Sequence, residues 1–171
     1  MYSDILLLTS AIDCNKDCPY LSLTNHKERL FQTLCCLIEW AQLPHISHII
    51  LCDNSNINYD FNPIEEYLKK HGIILELLIF QGDFSKVQKY GKGYGEGEII
   101  KYALANSKYL QDDDASFYKV TSRLFVNNFS IIQKHLTDVP NAFSRCDYKY
   151  CLFLAIKYCL FLARKVKRKL F

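Results

Sequence analysis

Glycine is scarce in this chain of 171 residues. There are six, and four of them stand at alternate positions: Gly91, Gly93, Gly95 and Gly97. The familiar glycine fingerprints are missing even there. A dinucleotide-binding G-x-G-x-x-G fails because Glu96 or Glu98 occupies its last position in either frame. A G-x-x-x-x-G-K-[ST] phosphate loop fails because Gly93 follows Lys92 and Lys86 stands five before Gly91. A zinc site lacks its second half, since Cys14 and Cys18 have no further Cys/His pair at ligand spacing. The tail run Tyr150–Ala163 has fourteen mostly apolar residues, short of the about 20 that a spanning helix needs. The N-terminus carries Asp4 inside a short apolar run and shows no secretory signal, so the eight cysteines read as reduced thiols of the cytosol.

What is present fits one globular domain. Half of the residues are apolar, and there are 12 Tyr and 11 Phe. The net charge of +3 is divided unevenly. Residues 149–171 hold seven Lys/Arg and no acid, while the remainder holds fourteen Lys/Arg against eighteen acids, a net −4. The expected organisation is a body over residues 1–148 and a basic, apolar tail over 149–171.

Along the chain, Asp4–Ser10 (DILLLTS) reads as a buried strand. Leu30, Leu34, Leu37, Ile38 and Ala41 then recur at helical spacing, with Asn25 as N-cap and Pro44 closing the helix. HIILCDNS is a second strand with a polar end at Asp53, Asn54 and Ser55. NPIEEYLKKHG is a second helix, with Pro63 at its start and Gly72 past its end. IILELLIF is a third strand, and SFYKVTSRLFV, after the glycine stretch and its helix, a fourth. This βαβαβαβ order predicts a mostly parallel, Rossmann-like sheet with helices on both faces.

Sheets of that kind bind ligands beyond the carboxyl ends of their strands. Thr9, Ser10, Asp53, Asn54, Ser55, Lys119, Thr121 and Arg123 converge there. The glycine stretch opens a helix at Ile99 and Ile100, and its glycines allow positive φ and close approach. Read as a loop, it offers helix N-terminal N–H groups to an anionic or sugar ligand, with Lys92, Gly93 and Glu96 in place; otherwise it is a flexible turn.

The segments LLLTSAID, ILCDNS, GKGYGEGEIIKYAL and FYKVTSRLFVNN, in that order, resemble the nucleotide-binding half of GT-A-fold glycosyltransferases. They are most similar to bacterial glycosyltransferase-like proteins of capsule or lipopolysaccharide biosynthesis. The resemblance covers about residues 4–136, with Ser10 and Ser122 where that group is expected to carry glycines. It implies a nucleotide-sugar donor cradled by Thr9, Ser10 and Asp53, with Lys92 near a phosphate, and a glycan or lipid-linked acceptor. Asp53 fits either a uracil- or ribose-binding acid or a turn-stabilising one, and Arg29 reads as a solvated charge.

Many members of the wider fold end the fourth strand in D-x-D, whose carboxylates hold a divalent ion against the diphosphate. Here that place reads Lys119-Val120-Thr121-Ser122-Arg123. By alternation Lys119, Thr121 and Arg123 share a face. They are expected either to replace the metal as electrostatic partners of the diphosphate, without a metal cofactor, or to form structural ion pairs. Asp112–Asp114 precede the strand and read as a solvated turn.

About 48 residues follow Arg123, with His135, Asp138 and Asp147 as the few candidates for acceptor chemistry, so no catalytic base is assigned and turnover is in question. The competing functions are an inactive nucleotide-binding protein and a membrane-surface binder. No RNA-binding motif with ordered aromatic positions is visible, so nucleic acid is not an expected partner. The tail holds a tandem duplication, KYCLFLAI then KYCLFLAR. It is expected to form a basic, apolar helix, either packed on the body or lying against an anionic membrane at the cytoplasmic face.

Overall fold

The computed structural model describes residues 4–14, 22–111, 115–135, 141–143 and 161–164. Asp112–Asp114, Asp138, Asp147, Cys18 and most of the tail lie outside the described residues. The elements follow one another as β1 (Asp4–Ser10), α1 (His26–Trp40), β2 (Ile46–Asp53), α2 (Asn62–Lys70), β3 (Ile74–Ile79) and α3 (Phe84–Tyr90). Then come α4 (Lys92–Asn106), β4 (Ser116–Thr121), α5 (Phe129–His135), β5 (Asn141–Phe143) and β6 (Phe161–Arg164). The sheet order is β3-β2-β1-β4-β6-β5. The first four strands are parallel, and β6 runs antiparallel to both β4 and β5. The chain is thus α/β with a four-strand parallel core, a Rossmann-like arrangement.

Alternation along the strands builds two cores. Leu6, Leu8, Ile49, Leu51, Tyr118 and Val120 face one side, where Leu37 and Trp40 of α1, Leu68 of α2 and Phe129 of α5 cover them. Leu7, Ile50, Cys52 and Phe117 face the other, under Ile99 and Ala103 of α4. Residues at the strand ends inherit these sides: Thr9, Lys119 and Thr121 belong to the α4 face, and Ser10, Asp53 and Ser122 to the α1 face.

Local chemistry explains the helix ends. Asn25 accepts from the N–H groups of Lys27 and Glu28 at 3.0 and 3.4 Å and caps α1 as expected. The short helix α3 was not anticipated. Its signal was Asp83, whose Oδ1 accepts from Lys86 N at 3.1 Å and Ser85 Oγ at 2.6 Å. The glycine stretch is a helix rather than a loop. Gly91 (φ +87°) ends α3 and starts α4 with no linker, and Gly93, Gly95 and Gly97 lie within α4. Glycine disfavours helix, but burial of Ile99 and Ala103 and close packing at Gly95 outweigh that preference.

A methyl group added at Gly95 would meet Val87 Cγ2 at 3.0 Å, whereas one at Gly97 meets nothing within 4 Å. We therefore expect Gly97→Ala to raise stability by about 0.5–1 kcal/mol. Gly95→Ala should give no such gain, because Val87 must move. Urea denaturation of the two variants checks both.

Two expectations are corrected. The fourth strand stops at Thr121, because the chain turns: Leu124 N donates to Thr121 O at 2.9 Å. Arg123 therefore does not continue the alternation and does not share the face of Lys119 and Thr121. In the tail, Phe161–Arg164 form β6 where a helix was expected. Their backbone pairs with β4 from Ser116↔Arg164 to Lys119↔Phe161 and supplies partners to an edge that a helix would leave open. The rest of 149–171 lies outside the described residues, apart from this strand.

Candidate ligand cleft

From β1 the chain runs outward to β2 and β3, then returns to the other side of β1 as β4. That reversal is a topological switch point, where the loops at the strand ends part and leave a crevice. Asn54 N donates to Ser10 O at 3.2 Å and Ser122 N to Thr9 O at 2.9 Å, which holds the strand ends together just below it. The crevice is a cleft of about 520 Å³, within the range of small-molecule sites. Thr9, Ser10, Asn54 and Thr121 line its floor, Lys92 and Glu96 come from α4, and Arg123 comes from the turn after β4. Of the expected site residues, Asp53, Gly93 and Lys119 are not among the lining.

Asp53 is fully buried. Its Oδ2 accepts from Ile12 N at 2.8 Å, and its Oδ1 accepts from Ser55 N at 2.8 Å and Ser55 Oγ at 2.5 Å. Both carboxylate oxygens are committed to the turns after β1 and β2, so its role here is turn stabilisation. Gly93 sits on an exposed side of α4.

Lys119 is buried and paired with Glu96 Oε1. The same Oε1 accepts from Thr9 Oγ1 at 2.7 Å. For Lys119 the sequence left two readings open, a cation facing a diphosphate and one half of a structural ion pair. The structure makes it one half of an internal ion pair, because α4 lays Glu96 directly against the end of β4.

The α1 side is different. Arg29 is 6% exposed, not solvated as expected. Its Nε donates to Ala11 O at 2.7 Å and its Nη1 to Leu23 O at 3.0 Å, which ties a residue just after β1 to one shortly before α1. Arg123 Nη1 donates to Gln32 Oε1 at 3.2 Å. Burial and then the nearby charge of Arg29 lower the Arg123 pKa from its ordinary value. Both guanidiniums line the cleft, and among the described residues neither forms an ion pair with a carboxylate. Ser10, 4% exposed, lines the same side. Two guanidiniums brought together, neither ion-paired with a carboxylate among the described residues, favour an anionic ligand on this side of the cleft. Arg29 was the site residue that sequence reading missed. Its position early in α1 was visible, but its burial was not.

Burial pushes the Cys36 and Cys52 thiols up to about 12. Cys14 is half-buried, lines the cleft and lies within electrostatic reach of Arg123. Iodoacetamide should therefore label Cys14 in the native protein and spare Cys36 and Cys52, as mapped by peptide mass spectrometry. A ligand bound in the cleft should slow the labelling of Cys14. Equal labelling of the three would contradict this arrangement.

Among the described residues no group of three or more His, Cys, Asp or Glu is placed to hold a metal ion, and no helix is long and apolar enough to cross a membrane. No protein-family model matches the chain, and no curated protein or solved structure matches it.

Proposed function

We propose that this chain is a glycosyltransferase-like protein whose cleft takes a nucleotide diphosphate sugar and holds the diphosphate without a divalent metal. The observation that carries the reading is the Arg29–Arg123 pair. Two guanidiniums, one of them nearly buried, face a cleft at the switch point of a parallel sheet with no carboxylate ion pair among the described residues. Guanidinium groups bind phosphate oxygens in fork geometry. A positive field fixed where a diphosphate leaves would stabilise the charge that develops as the sugar bond breaks. The resemblance of the sequence to GT-A-type capsule and lipopolysaccharide proteins supports the donor class. It extends the proposal to a glycan or lipid-linked acceptor at the cytoplasmic face of a membrane. An inactive nucleotide-binding protein would use the same cleft.

A thermal-shift panel of UDP-, GDP-, ADP- and dTDP-linked sugars, run in EDTA and again in Mg²⁺ or Mn²⁺, tests the proposal. The expected result is a raised Tm with at least one donor that EDTA does not abolish. Stabilisation that requires the metal would overturn the metal-free part and direct attention to Asp112–Asp114. No stabilisation by any donor would overturn the nucleotide-sugar reading. Product release with an acceptor separates a transferase from an inactive binder.

A further inference from the structure

The α4 wall of the cleft differs from the arginine side, because its carboxylate, Glu96, is anchored by an ion pair to Lys119. Glu96 is the fifth residue of α4 and lines the cleft with its side chain 35% exposed. Thr9 Oγ1 and Lys119 Nζ both contact Oε1. Oε2 accepts from no described residue. The carboxylate is therefore held by one oxygen from below, by a buried threonine and a buried lysine, and its other oxygen has lone pairs to spare. A side chain locked in this way is preorganised to accept a hydrogen bond at its second oxygen. Phosphates suit the Arg29 and Arg123 side; hydroxyl donors suit Glu96.

We infer that Glu96 is a specificity-determining residue that accepts hydrogen bonds from the ring hydroxyls of the ligand, with Thr9 and Lys119 as its positioning residues. This rests on the nucleotide-sugar reading of the cleft. The shared ligand chemistry is a polyol ring, and it has two sources, the ribose of the nucleotide and the transferred hexose.

Glu96→Gln is the informative substitution. Thr9 and Lys119 both donate, so they should hold the amide oxygen and turn its NH₂ toward the cleft. The cleft-facing group then changes from acceptor to donor with little change in shape. Calorimetric titration of the full chain would use UDP, GDP and ADP, their 2′,3′-dideoxy forms, the UDP- and GDP-hexoses, and inorganic pyrophosphate. If Glu96 reads the ribose, the variant binds the ribonucleoside diphosphate about tenfold or more weakly and the dideoxy form unchanged. If it reads the hexose, only the sugar nucleotides weaken. Unchanged affinity for every ligand, or an equal loss that includes pyrophosphate and the dideoxy forms, overturns the inference. Should the wild-type protein bind none of these probes, the nucleotide-sugar reading falls and this one with it. Fluorescence of Trp40, the one tryptophan in the chain, reports whether the variant is folded. If Glu96→Gln does not fold, Lys119→Met removes one anchor. It should narrow the same discrimination between ribose and dideoxyribose, or between hexose-bearing and free diphosphate; a variant that discriminates as the wild type does counts against the inference.

Discussion

Arg123→Ala is expected to weaken binding of a nucleoside diphosphate by about 1.5–3 kcal/mol, the range of a hydrogen bond to a charged group. The free protein should lose little stability. Among the described residues Arg123 makes a single hydrogen bond, to the exposed Gln32, and its charge is opposed by that of Arg29. Removing it trades one weak contact for the relief of repulsion. Loss of binding without loss of Tm is therefore the signature of a ligand-facing cation. Arg123→Lys should recover only part of the affinity, because an ammonium cannot reproduce the guanidinium fork. Titration calorimetry and a melting curve on the same samples read both quantities. Unchanged affinity in Arg123→Ala would remove Arg123 from the site. Arg29 is a poorer probe, because its guanidinium also supports the carbonyls of Ala11 and Leu23.

The largest effect on folding should come from Trp40. Its side chain is fully buried, edge-on to Phe125 at 4.9 Å and to Phe129 at 5.1 Å. It joins the C-terminal end of α1 to the segment after β4, two residues beyond Arg123. Trp40→Ala removes that contact and leaves a cavity between helix and sheet, a change of about 3–5 kcal/mol. Against a total stability of about 5–15 kcal/mol for a domain, that is a large fraction. Urea unfolding followed by far-UV circular dichroism measures it, since the variant has no tryptophan to follow. The turn carrying Arg123 should loosen with the core, so ligand binding should weaken too. A loss below about 1.5 kcal/mol would mean that the surrounding aromatics collapse into the space.

The parallel core was legible because β1 to β4 are short apolar runs separated by helices with local start signals, such as the cap Asn25 of α1 and Pro63 in the first turn of α2. The end of β4 was not legible. Thr121, Ser122 and Arg123 can extend a strand or enter a turn, and the hydrogen bond from Leu124 back to Thr121 decides between them. Nor was α4. Its first turns are made of residues with poor helix propensity, and the packing of Gly95 on Val87 lies in the tertiary structure. In the tail, KYCLFLAR is a short apolar run that periodicity alone cannot assign to helix or strand. For Phe161–Arg164 the open edge of β4 assigns it.

The cleft divides in the same way. The strand-end polar residues were visible because a parallel sheet gathers its ligand site at one end, and Thr9, Ser10, Asn54 and Thr121 do line it. The roles of individual charges depend on partners distant in the chain. Lys119 finds Glu96 across the α4 face, and Asp53 finds Ile12 across the neighbouring strand. Arg29 reaches the cleft through its contacts with Ala11 and Leu23, which no local pattern in the sequence shows. The crevice was legible in the sequence; which of its cations is paired inside the protein was left open there.

The most direct test of the account is a crystal structure of the protein grown in EDTA with the tightest-binding nucleotide sugar of the panel. The account predicts density for the diphosphate between Arg29 and Arg123, with a ring hydroxyl on Glu96 Oε2. A nucleotide bound elsewhere on the protein, or a diphosphate seated away from both arginines, would contradict it.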